Sequence, residues 1–197
     1  MSLRIIGGAA RSRRIPSPEE AGVRPTGERV REALFNIWGS ALEGARVLDL
    51  CAGSGAISLE ALSRGAAGVL AVEKNPRLCA AMRRNAEALG LTDGFEVRCA
   101  DVITGIRRIQ AESSHRFDLA FADPPWREEG LRQELLDAVF APEPICASLV
   151  MEAPRGVAAR SEVSGARLVR ERRYGDTCLL FYEVDAVGES AKDDELK

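Results

Sequence analysis

The pattern of apolar and polar positions predicts alternating strands and helices. Short runs rich in apolar residues predict strands at 46–50, 68–73, 95–100, 117–122 and 147–153. Between these runs, apolar residues recur at helical spacing and predict helices at 54–64, 76–89, 102–111 and 130–139. Because strands and helices alternate, we expect an α/β fold in which helices cover both faces of a mostly parallel sheet.

The two ends of this pattern add a helix and a hairpin. Apolar residues from Val30 to Leu42 follow helical spacing and predict a helix, with Thr26 as its N-cap and Glu28 near its positive end. Near the other end, the strands predicted at 167–174 and 177–184 flank Gly175-Asp176, a glycine-first pair that suits a tight antiparallel turn. We therefore expect seven strands, closed by an antiparallel hairpin.

Composition narrows the class of protein. The chain has 197 residues, 46% hydrophobic and 29% charged, which is ordinary for one soluble domain. Its five cysteines are scattered and include no C-x-x-C pair, so we expect neither a disulfide framework nor a zinc site, and a reducing cytoplasm fits best. No apolar run reaches membrane-spanning length and no signal-peptide pattern is present. We expect a cytoplasmic protein without a metal and without a membrane partner.

Charge is distributed unevenly along the chain. Residues 1–16 carry four arginines and no acid, whereas five acids and two lysines follow from position 185 onward. We therefore divide the chain into a basic N-terminal arm at 1–24, a central domain at 25–184 and an acidic tail at 185–197, which we expect to be disordered. The arm predicts a polyanionic partner, and a merely solvated terminus is the alternative.

A glycine-rich turn, "LDLCAGSGAISLEAL", follows the first strand of the predicted sheet. Ligands of open α/β sheets bind at the carboxyl ends of the strands, where Gly53 and Gly55 allow close approach of the backbone. A dinucleotide fingerprint would have a third glycine where Ser58 stands. Glu73 ends the next strand, 18 residues after Gly55, and suits a carboxylate that accepts from both ribose hydroxyls of a nucleoside cofactor.

Two further acids have alternative roles. Asp49 could hold the glycine turn through backbone N–H groups, or it could contact a charged amine of the cofactor. Asp101 follows the third strand and could be the N-cap of the next helix, or it could contact an adenine amino group. For Asp101 both roles can hold at once.

The stretch "LAFADPPWREEG", residues 119–130, ends a buried strand with unusual chemistry. Pro124 cannot donate a ladder hydrogen bond and ends the strand, and Pro125 keeps Pro124 extended. The tip therefore presents the Asp123 carboxylate, backbone carbonyls and the aromatic face of Trp126. Such a tip suits a planar ligand that carries an NH₂ group, although Trp126 could instead be a core or rim aromatic.

Together these motifs resemble a known family. The D-x-x-x-G-x-G turn, the acid that ends strand two and the D-P-P-aromatic tip are similar to those of class I S-adenosylmethionine-dependent amino-methyltransferases. More specifically, "RIIGGAARSRRI", "RPTGERVREALFNI", "LDLCAGSGAISLEALSRGA" and "YGDT" resemble the bacterial guanine-N2 methyltransferases of 16S ribosomal RNA, the small-subunit methyltransferase D family, from about Arg4 to about Tyr182. The family usually has Tyr or Phe in place of Trp126, and a larger residue with a glycine in the region of Ala10 to Ser12.

The resemblance implies a Rossmann-like class I methyltransferase fold, S-adenosyl-L-methionine as cofactor, and 16S ribosomal RNA as partner, within a 30S subunit or an assembly intermediate. We expect a monomer. The catalytic residues it implies are Asp123, Pro124, Pro125 and Trp126. The cofactor-binding residues are Asp49, Ala52, Gly53, Ser54, Gly55, Glu73, Lys74, Asp101 and Val102. The RNA-binding residues are Arg4, Arg11, Arg13, Arg14 and Arg24.

Three other functions fit parts of the pattern. A DNA methyltransferase for adenine N6 or cytosine N4 would also use a D-P-P-aromatic tip, but the chain shows no separate target-recognition domain. A nicotinamide oxidoreductase is disfavoured by Ser58 and by the same tip. A non-catalytic RNA-binding module is disfavoured by the acids at positions 49, 73, 101 and 123, which are all intact.

Overall fold

A computed structural model describes residues 2–16, 27–112 and 116–184, which include the whole central sheet. Within these residues the strands are β1 (Ser2–Arg4), β2 (Arg14–Pro16), β3 (Arg46–Leu50), β4 (Gly68–Glu73), β5 (Phe95–Cys99), β6 (Phe117–Ala122), β7 (Cys146–Pro154), β8 (Glu162–Val163), β9 (Ala166–Tyr174) and β10 (Thr177–Val184). The helices are α1 (Glu28–Trp38), α2 (Ala56–Ser63), α3 (Pro76–Leu89), α4 (Val102–Ala111) and α5 (Glu129–Phe140), and a 3₁₀ turn spans Gly39–Leu42.

The strand order of the main sheet is β5-β4-β3-β6-β7-β10-β9-β8. Strands β3 to β7 are parallel, and β10 pairs antiparallel with β7 on one side and with β9 on the other. This order confirms the predicted Rossmann-like sheet and its C-terminal hairpin. The structure adds the two-residue β8, which pairs only with the start of β9 and is too short to give a periodic signal.

Helices cover both faces of the sheet. Helices α4 and α5 bury their apolar sides against one face, in a cluster that includes Ile106 and Leu135. Helices α1 and α2 bury theirs against the other face, in a cluster that includes Phe35 and Ala61, and α3 lies next to α2. We call this second side the α1 face.

Two helix starts depart from the sequence prediction in ways that the backbone explains, and α5 begins one residue earlier than predicted. Helix α1 begins at Glu28 with Gly27 as its N-cap residue, and Thr26 lies outside the described residues. Helix α2 begins at Ala56, two residues later than predicted, because Gly55 has a left-handed backbone with φ of 76° that cannot continue a helix. Helices α3 and α4 have their predicted bounds.

Residues 2–16 of the predicted basic arm form a folded hairpin. Strands β1 and β2 pair antiparallel, and Ile5 and Ile15 are fully buried against α2 and α3. The rest of the predicted arm at 17–24, with Arg24, and the predicted tail at 185–197 lie outside the described residues. Among the described helices, none combines the length and the apolar character needed to cross a bilayer.

A buried carboxylate fixes this hairpin to α2. The carboxylate of Glu60, which is completely buried, accepts hydrogen bonds from the backbone N–H of Ile6 and of Gly7, both at 2.7 Å, and from Arg64 Nε at 2.6 Å. Next to it, a Cβ on Gly8 would lie 1.7 Å from the carbonyl oxygen of Ser63. The chain can therefore approach the end of α2 this closely only with glycine at position 8.

We expect Glu60→Gln to destabilise the fold locally and measurably. The amide keeps the size of the side chain but replaces one acceptor oxygen by a donor, which leaves Ile6 or Gly7 N–H unpaired at a cost of about 1–3 kcal/mol. Amide hydrogen exchange should become faster at these two residues, with a lower melting temperature. Unchanged exchange at Ile6 and Gly7 would contradict the contact, and Glu87→Gln on the exposed side of α3 is the control.

Candidate active site

Three acids meet at the carboxyl edge of the parallel sheet. Asp49 lies on β3, Glu73 ends β4, and Asp123 directly follows β6. Strand β3 lies between the other two, and the charges of Asp123 and Glu73 both act on Asp49. The fold therefore brings these three predicted residues together in one site.

Glu73 holds the glycine-rich turn in place. One oxygen of its carboxylate accepts from Gly53 N–H at 2.9 Å, and the other accepts from Asn75 N–H at 2.8 Å. The side chain is buried at the rim of the turn, with 8% of its residue surface exposed. Each carboxylate oxygen can accept a second hydrogen bond, so the predicted contact to ribose hydroxyls stays a prediction.

The turn itself has an unusual backbone. Cys51, Gly53 and Gly55 all have left-handed backbones, with φ values of 60°, 56° and 76°. A Cβ on Gly55 would lie only 2.6 Å from Cγ of Met82 on α3, so the residue must be glycine for reasons of both conformation and space. A non-glycine residue such as Cys51 adopts this conformation at a cost of order 1–3 kcal/mol, which the surrounding contacts must offset.

Asp49 is buried and carries a strongly perturbed carboxyl group. Its Oδ2 accepts from Ser58 Oγ at 2.5 Å and from Ser58 N–H at 3.1 Å, and 1% of the residue is exposed. The pKa of Asp49 is raised to about 7, mainly by burial and also by the negative charges of Asp123 and Glu73, while the two hydrogen bonds from Ser58 act in the opposite direction. Its observed partner is thus the first turn of α2, and the predicted contact to a charged amine remains a prediction.

Of the remaining predicted cofactor residues, Ala52 and Ser54 lie in the glycine turn after β3, Lys74 follows β4, and Asp101 and Val102 follow β5. Asp101 Oδ1 accepts from Ile103 N–H at 3.0 Å and from Thr104 N–H at 3.3 Å, which confirms its role as the N-cap of α4. Lys74 is exposed, and Val102 is buried. A contact from Asp101 to an adenine amino group stays a prediction.

The D-P-P-W tip leaves one carbonyl oxygen available. The Pro125 carbonyl accepts from Glu128 N–H at 2.9 Å, and the Trp126 carbonyl accepts from Arg132 Nη1 at 2.9 Å. Within the described part of the chain, the Pro124 carbonyl accepts no hydrogen bond. Asp123 and Trp126 are half-buried, so each keeps surface for a ligand. The tip therefore carries two acceptors, the carboxylate of half-buried Asp123 and the carbonyl of buried Pro124.

Sequence reasoning missed three polar residues around this edge. Ser58 was treated only as a departure from a glycine fingerprint, yet it supplies both hydrogen bonds to Asp49. Arg132 is 4% exposed and orients the backbone of the tip from α5. Glu152 is a buried carboxylate near the end of β7, one residue beyond the pair formed by Ala122 and Met151. Helical spacing placed Arg132 on a helix, but nothing in the sequence pointed its side chain at the tip.

The arginines predicted to bind RNA lie elsewhere in the fold. The hairpin docks on the C-terminal ends of α2 and α3, which lie at the amino edge of the sheet because these helices run back from the carboxyl edge. Arg13 donates to the carbonyls of Ala88 and Leu89 there, and Arg4 forms an ion pair with Glu28 at 3.0 Å. Arg11 and Arg14 are exposed. Their contact with RNA stays a prediction.

The electrostatics of the edge favour a cation. Three carboxylates lie close together, and ionisation of Asp49 is opposed first by its burial and then by the negative charges of Asp123 and Glu73. A ligand with a positive charge next to Asp49 would relieve that repulsion, and close backbone approach at the glycine turn leaves room for a flat, extended ligand. S-adenosylmethionine, which carries a sulfonium and an ammonium group, fits these residues. In the part of the chain that the structure describes, no group of His, Cys, Asp and Glu could hold a metal ion.

The fold and this edge define a class I methyltransferase architecture, with the glycine turn after the first parallel strand and the D-P-P-W tip after the fourth. The chain belongs to the family described as "Conserved hypothetical protein 95", whose model matches residues 3–183. It is 33% identical to the ribosomal RNA small subunit methyltransferase D of Escherichia coli strain K12, over 97% of this chain and 94% of that protein. The resemblance found in the sequence is thereby confirmed.

Solved structures agree with this membership. The Escherichia coli protein yhhF is 30% identical and superposes with a TM-score of 0.79, covering 94% of this chain and 99% of that chain. The Thermus thermophilus protein TTHA0928 is 29% identical with a TM-score of 0.76, covering 92% of this chain and 99% of that chain. The similarity therefore extends over nearly the whole chain and includes both the hairpin and the site.

We expect the affinity for S-adenosylmethionine to depend on pH through Asp49. The pKa of Asp49 in the folded protein is about 7, above the value of about 3.9 in an unfolded chain. The unfolded chain therefore loses this proton first, and the free energy of unfolding falls as pH rises from about 4 to 7. A cationic ligand favours the carboxylate and releases its proton, so affinity should rise as pH rises toward 7 and then level off. Calorimetry between pH 5.5 and 7.5 measures this rise. Asp49→Asn should bind more weakly and lose the pH dependence; the same slope in that variant would contradict the assignment.

Glu73→Gln should weaken cofactor binding by about tenfold or more. The substitution replaces a charged acceptor, which holds the glycine turn and is predicted to contact the ligand, by a neutral amide. Each hydrogen bond to a charged group that is lost costs about 1.5–3 kcal/mol. Calorimetry and thermal unfolding of the same variant separate the two effects. Glu96→Gln on β5, which lies away from the carboxyl edge, is the control. A folded Gln variant with wild-type affinity would remove Glu73 from the cofactor site.

Proposed function

We propose that this protein transfers a methyl group from S-adenosyl-L-methionine to the exocyclic N2 amine of a guanine in 16S ribosomal RNA. The observation that carries the proposal is the pair of acceptors at the D-P-P-W tip, Asp123 and the Pro124 carbonyl, beside an edge suited to a cationic cofactor. Support also comes from the E. coli relative, whose name states that it methylates ribosomal RNA of the small subunit. A protein of the same fold, SMU.776, was solved in complex with SAH, the form of this cofactor that has lost its methyl group.

Two acceptors at the tip suit the two N–H bonds of an amino group. The guanine N2 lone pair is delocalised into the ring and must be localised on nitrogen before it can attack. Asp123 and the Pro124 carbonyl can each accept one N–H of the amine, which turns the lone pair out of the ring plane and toward the methyl donor. When bound, S-adenosylmethionine supplies the methyl group on a sulfonium, which leaves as a neutral thioether.

The chain's own contribution is positioning and electrostatics. As the new N–CH₃ bond forms, positive charge grows on N2, and the fixed carboxylate of Asp123 stabilises that charge. The proton that N2 loses can pass to Asp123 and then to water. Arg132 and the hydrogen bond from Glu128 hold the backbone of the tip, so the acceptors need not reorganise during the reaction.

Trp126 completes the site for the base. Its half-buried indole lies next to the two acceptors in the chain and offers a face for stacking, which is worth about 1–3 kcal/mol per base. The target guanine must leave its stack to reach the edge, as in other enzymes that modify bases. We further propose that the enzyme acts in the cytoplasm, as a monomer, on a 30S subunit or an assembly intermediate.

The test measures methyl transfer by the purified protein, with labelled cofactor and with 30S subunits taken from cells that lack this protein. Digestion of the RNA to nucleosides should give labelled N2-methylguanosine. Asp123→Asn should lose about 100-fold or more in the single-turnover rate, because the amide presents a donor where an acceptor is needed. Its affinity for the cofactor should change by no more than about threefold, since its partner is the amine. Asp93→Asn, on an exposed loop, is the matched control.

Other outcomes would identify other functions. Labelled N6-methyladenosine or N4-methylcytidine, or transfer to DNA alone, would replace guanine N2 as the target. RNA binding without any transfer would indicate a binding module. A wild-type rate in Asp123→Asn would leave the proposed chemistry without its central residue.

A further inference from the structure

Strand β9 carries an unusual charge pattern close to the proposed active site. Four of its nine residues are arginines, at positions 167, 170, 172 and 173, against one acid, Glu171. These arginines lie outside the N-terminal arm, where the sequence predicted RNA contacts. The proposed function uses none of them.

The two faces of β9 differ in how their charge is balanced. Arg170 and Arg172 pair in register with Phe181 and Leu179, whose side chains belong to the cluster on the α1 face. Both arginines are exposed, and neither forms an ion pair within the described residues.

The opposite face is neutralised locally. Arg173 pairs in register with Cys178, which belongs to the cluster against α4 and α5, and forms an ion pair with Glu171 at 3.3 Å. The uncompensated positive charge of β9 therefore lies on the α1 face alone.

The register of the sheet places this charge beside the site. Arg172 pairs with Leu179 on β10, and Leu179 pairs with Glu152 on β7. Glu152 is one residue past Met151, which pairs with Ala122, the residue before Asp123. Arg172 is therefore level with Asp123 and three strands away, about 14 Å at the usual strand spacing.

Local contacts orient the two arginines. The guanidinium of Arg170 lies over the ring of Phe181, 5.9 Å from its centroid, and Arg172 Nη1 donates to the carbonyl of Glu171 at 3.1 Å. Each guanidinium keeps further N–H donors for a ligand, since a guanidinium has five. Residues two apart on one face of a strand are separated by about 6.6 Å, so two separate anionic groups can be contacted.

We infer that Arg170 and Arg172 form an RNA-binding surface that contacts phosphates flanking the methylated base. Arginine pairs readily with phosphate oxygens, and a row of uncompensated guanidinium groups level with the reacting edge matches a polyanion that passes across it. The inference rests on the proposed function for its substrate and adds the path that the RNA takes, toward β9 along the α1 face.

The same arginines could also serve a structural role at the sheet edge, and the test must distinguish this role from RNA binding. From Val169 to Tyr174 the outer edge of β9 has no strand partner in the described residues, because β8 pairs only with Ala166 and Arg167. Charged side chains at such an edge prevent pairing with another chain. Reversal of the charge keeps this protection, since glutamate is also charged, but it abolishes attraction to phosphate.

The experiment compares Arg170→Glu and Arg172→Glu with the control Arg173→Glu. All three change the net charge equally and lie on the same strand, but Arg173 points to the opposite face. Binding to a 16S ribosomal RNA transcript is measured from 50 to 200 mM salt, together with thermal unfolding and light scattering. Arg170→Glu and Arg172→Glu should each weaken binding about tenfold at low salt and reduce the salt slope by about 0.7 to 0.9. Arg172→Lys should keep most of the affinity.

The results distinguish this surface from the proposed function. Equal loss in all three Glu variants, or no loss in any, would overturn the surface, as would a change limited to aggregation. Methyl transfer by the wild-type protein together with unchanged RNA affinity in Arg170→Glu and Arg172→Glu overturns the surface and leaves the function standing. Selective loss of RNA affinity in these variants, with no methyl transfer by the wild type, supports the surface and overturns the function.

Discussion

Burial of carboxylates at the carboxyl edge of the sheet is the constraint on which the rest of the site depends. A buried carboxylate needs hydrogen-bond donors. Here the donors are N–H and O–H groups in and next to the glycine turn. Glu73 takes the N–H of Gly53, and Asp49 takes both polar groups of Ser58. Glu73 thereby fixes the glycine turn, and Asp49 fixes the first turn of the helix that follows it.

Helix α2 connects this edge to the N-terminal hairpin. Every residue of α2 is buried; its first turn holds Asp49 through Ser58, and its last turns hold the hairpin through Glu60. Because Ser58 and Glu60 lie two residues apart on one short helix, a shift of the hairpin would move the partner of Asp49. This explains in physical terms why "RIIGG" and "LDLCAGSGAISLEAL" occur together in one sequence. The hairpin supports the site, whatever its arginines bind.

The sequence predicted the sheet because buried parallel strands are nearly continuous apolar runs, and β3, β4 and β6 have their predicted bounds. The sequence also predicted that Asp49, Glu73 and Asp123 lie near one another, because each stands at or near the carboxyl end of a parallel strand and ligands of open α/β sheets bind at that edge. It could not show which donor each acid takes. Ser58, Arg132 and Glu60 act through side-chain direction and packing between distant segments, and periodicity carries no information about either. For the same reason the hairpin was expected only as a charged arm.

The site must bind a cationic cofactor, whereas its proposed substrate is a polyanion. The sheet places the negative and the positive side chains on different strands. The carboxylate cluster lies at β3, β4 and β6, whereas the uncompensated arginines lie three strands further on, at β9. A separation of about 14 Å exceeds the screening length of about 8 Å at physiological salt, so neither charge cancels the other through solvent. The buried cluster is screened much less than the exposed arginines. Cofactor binding should therefore be governed mainly by the proton on Asp49, and RNA binding mainly by salt, so that two ligands of opposite charge share one edge without competing.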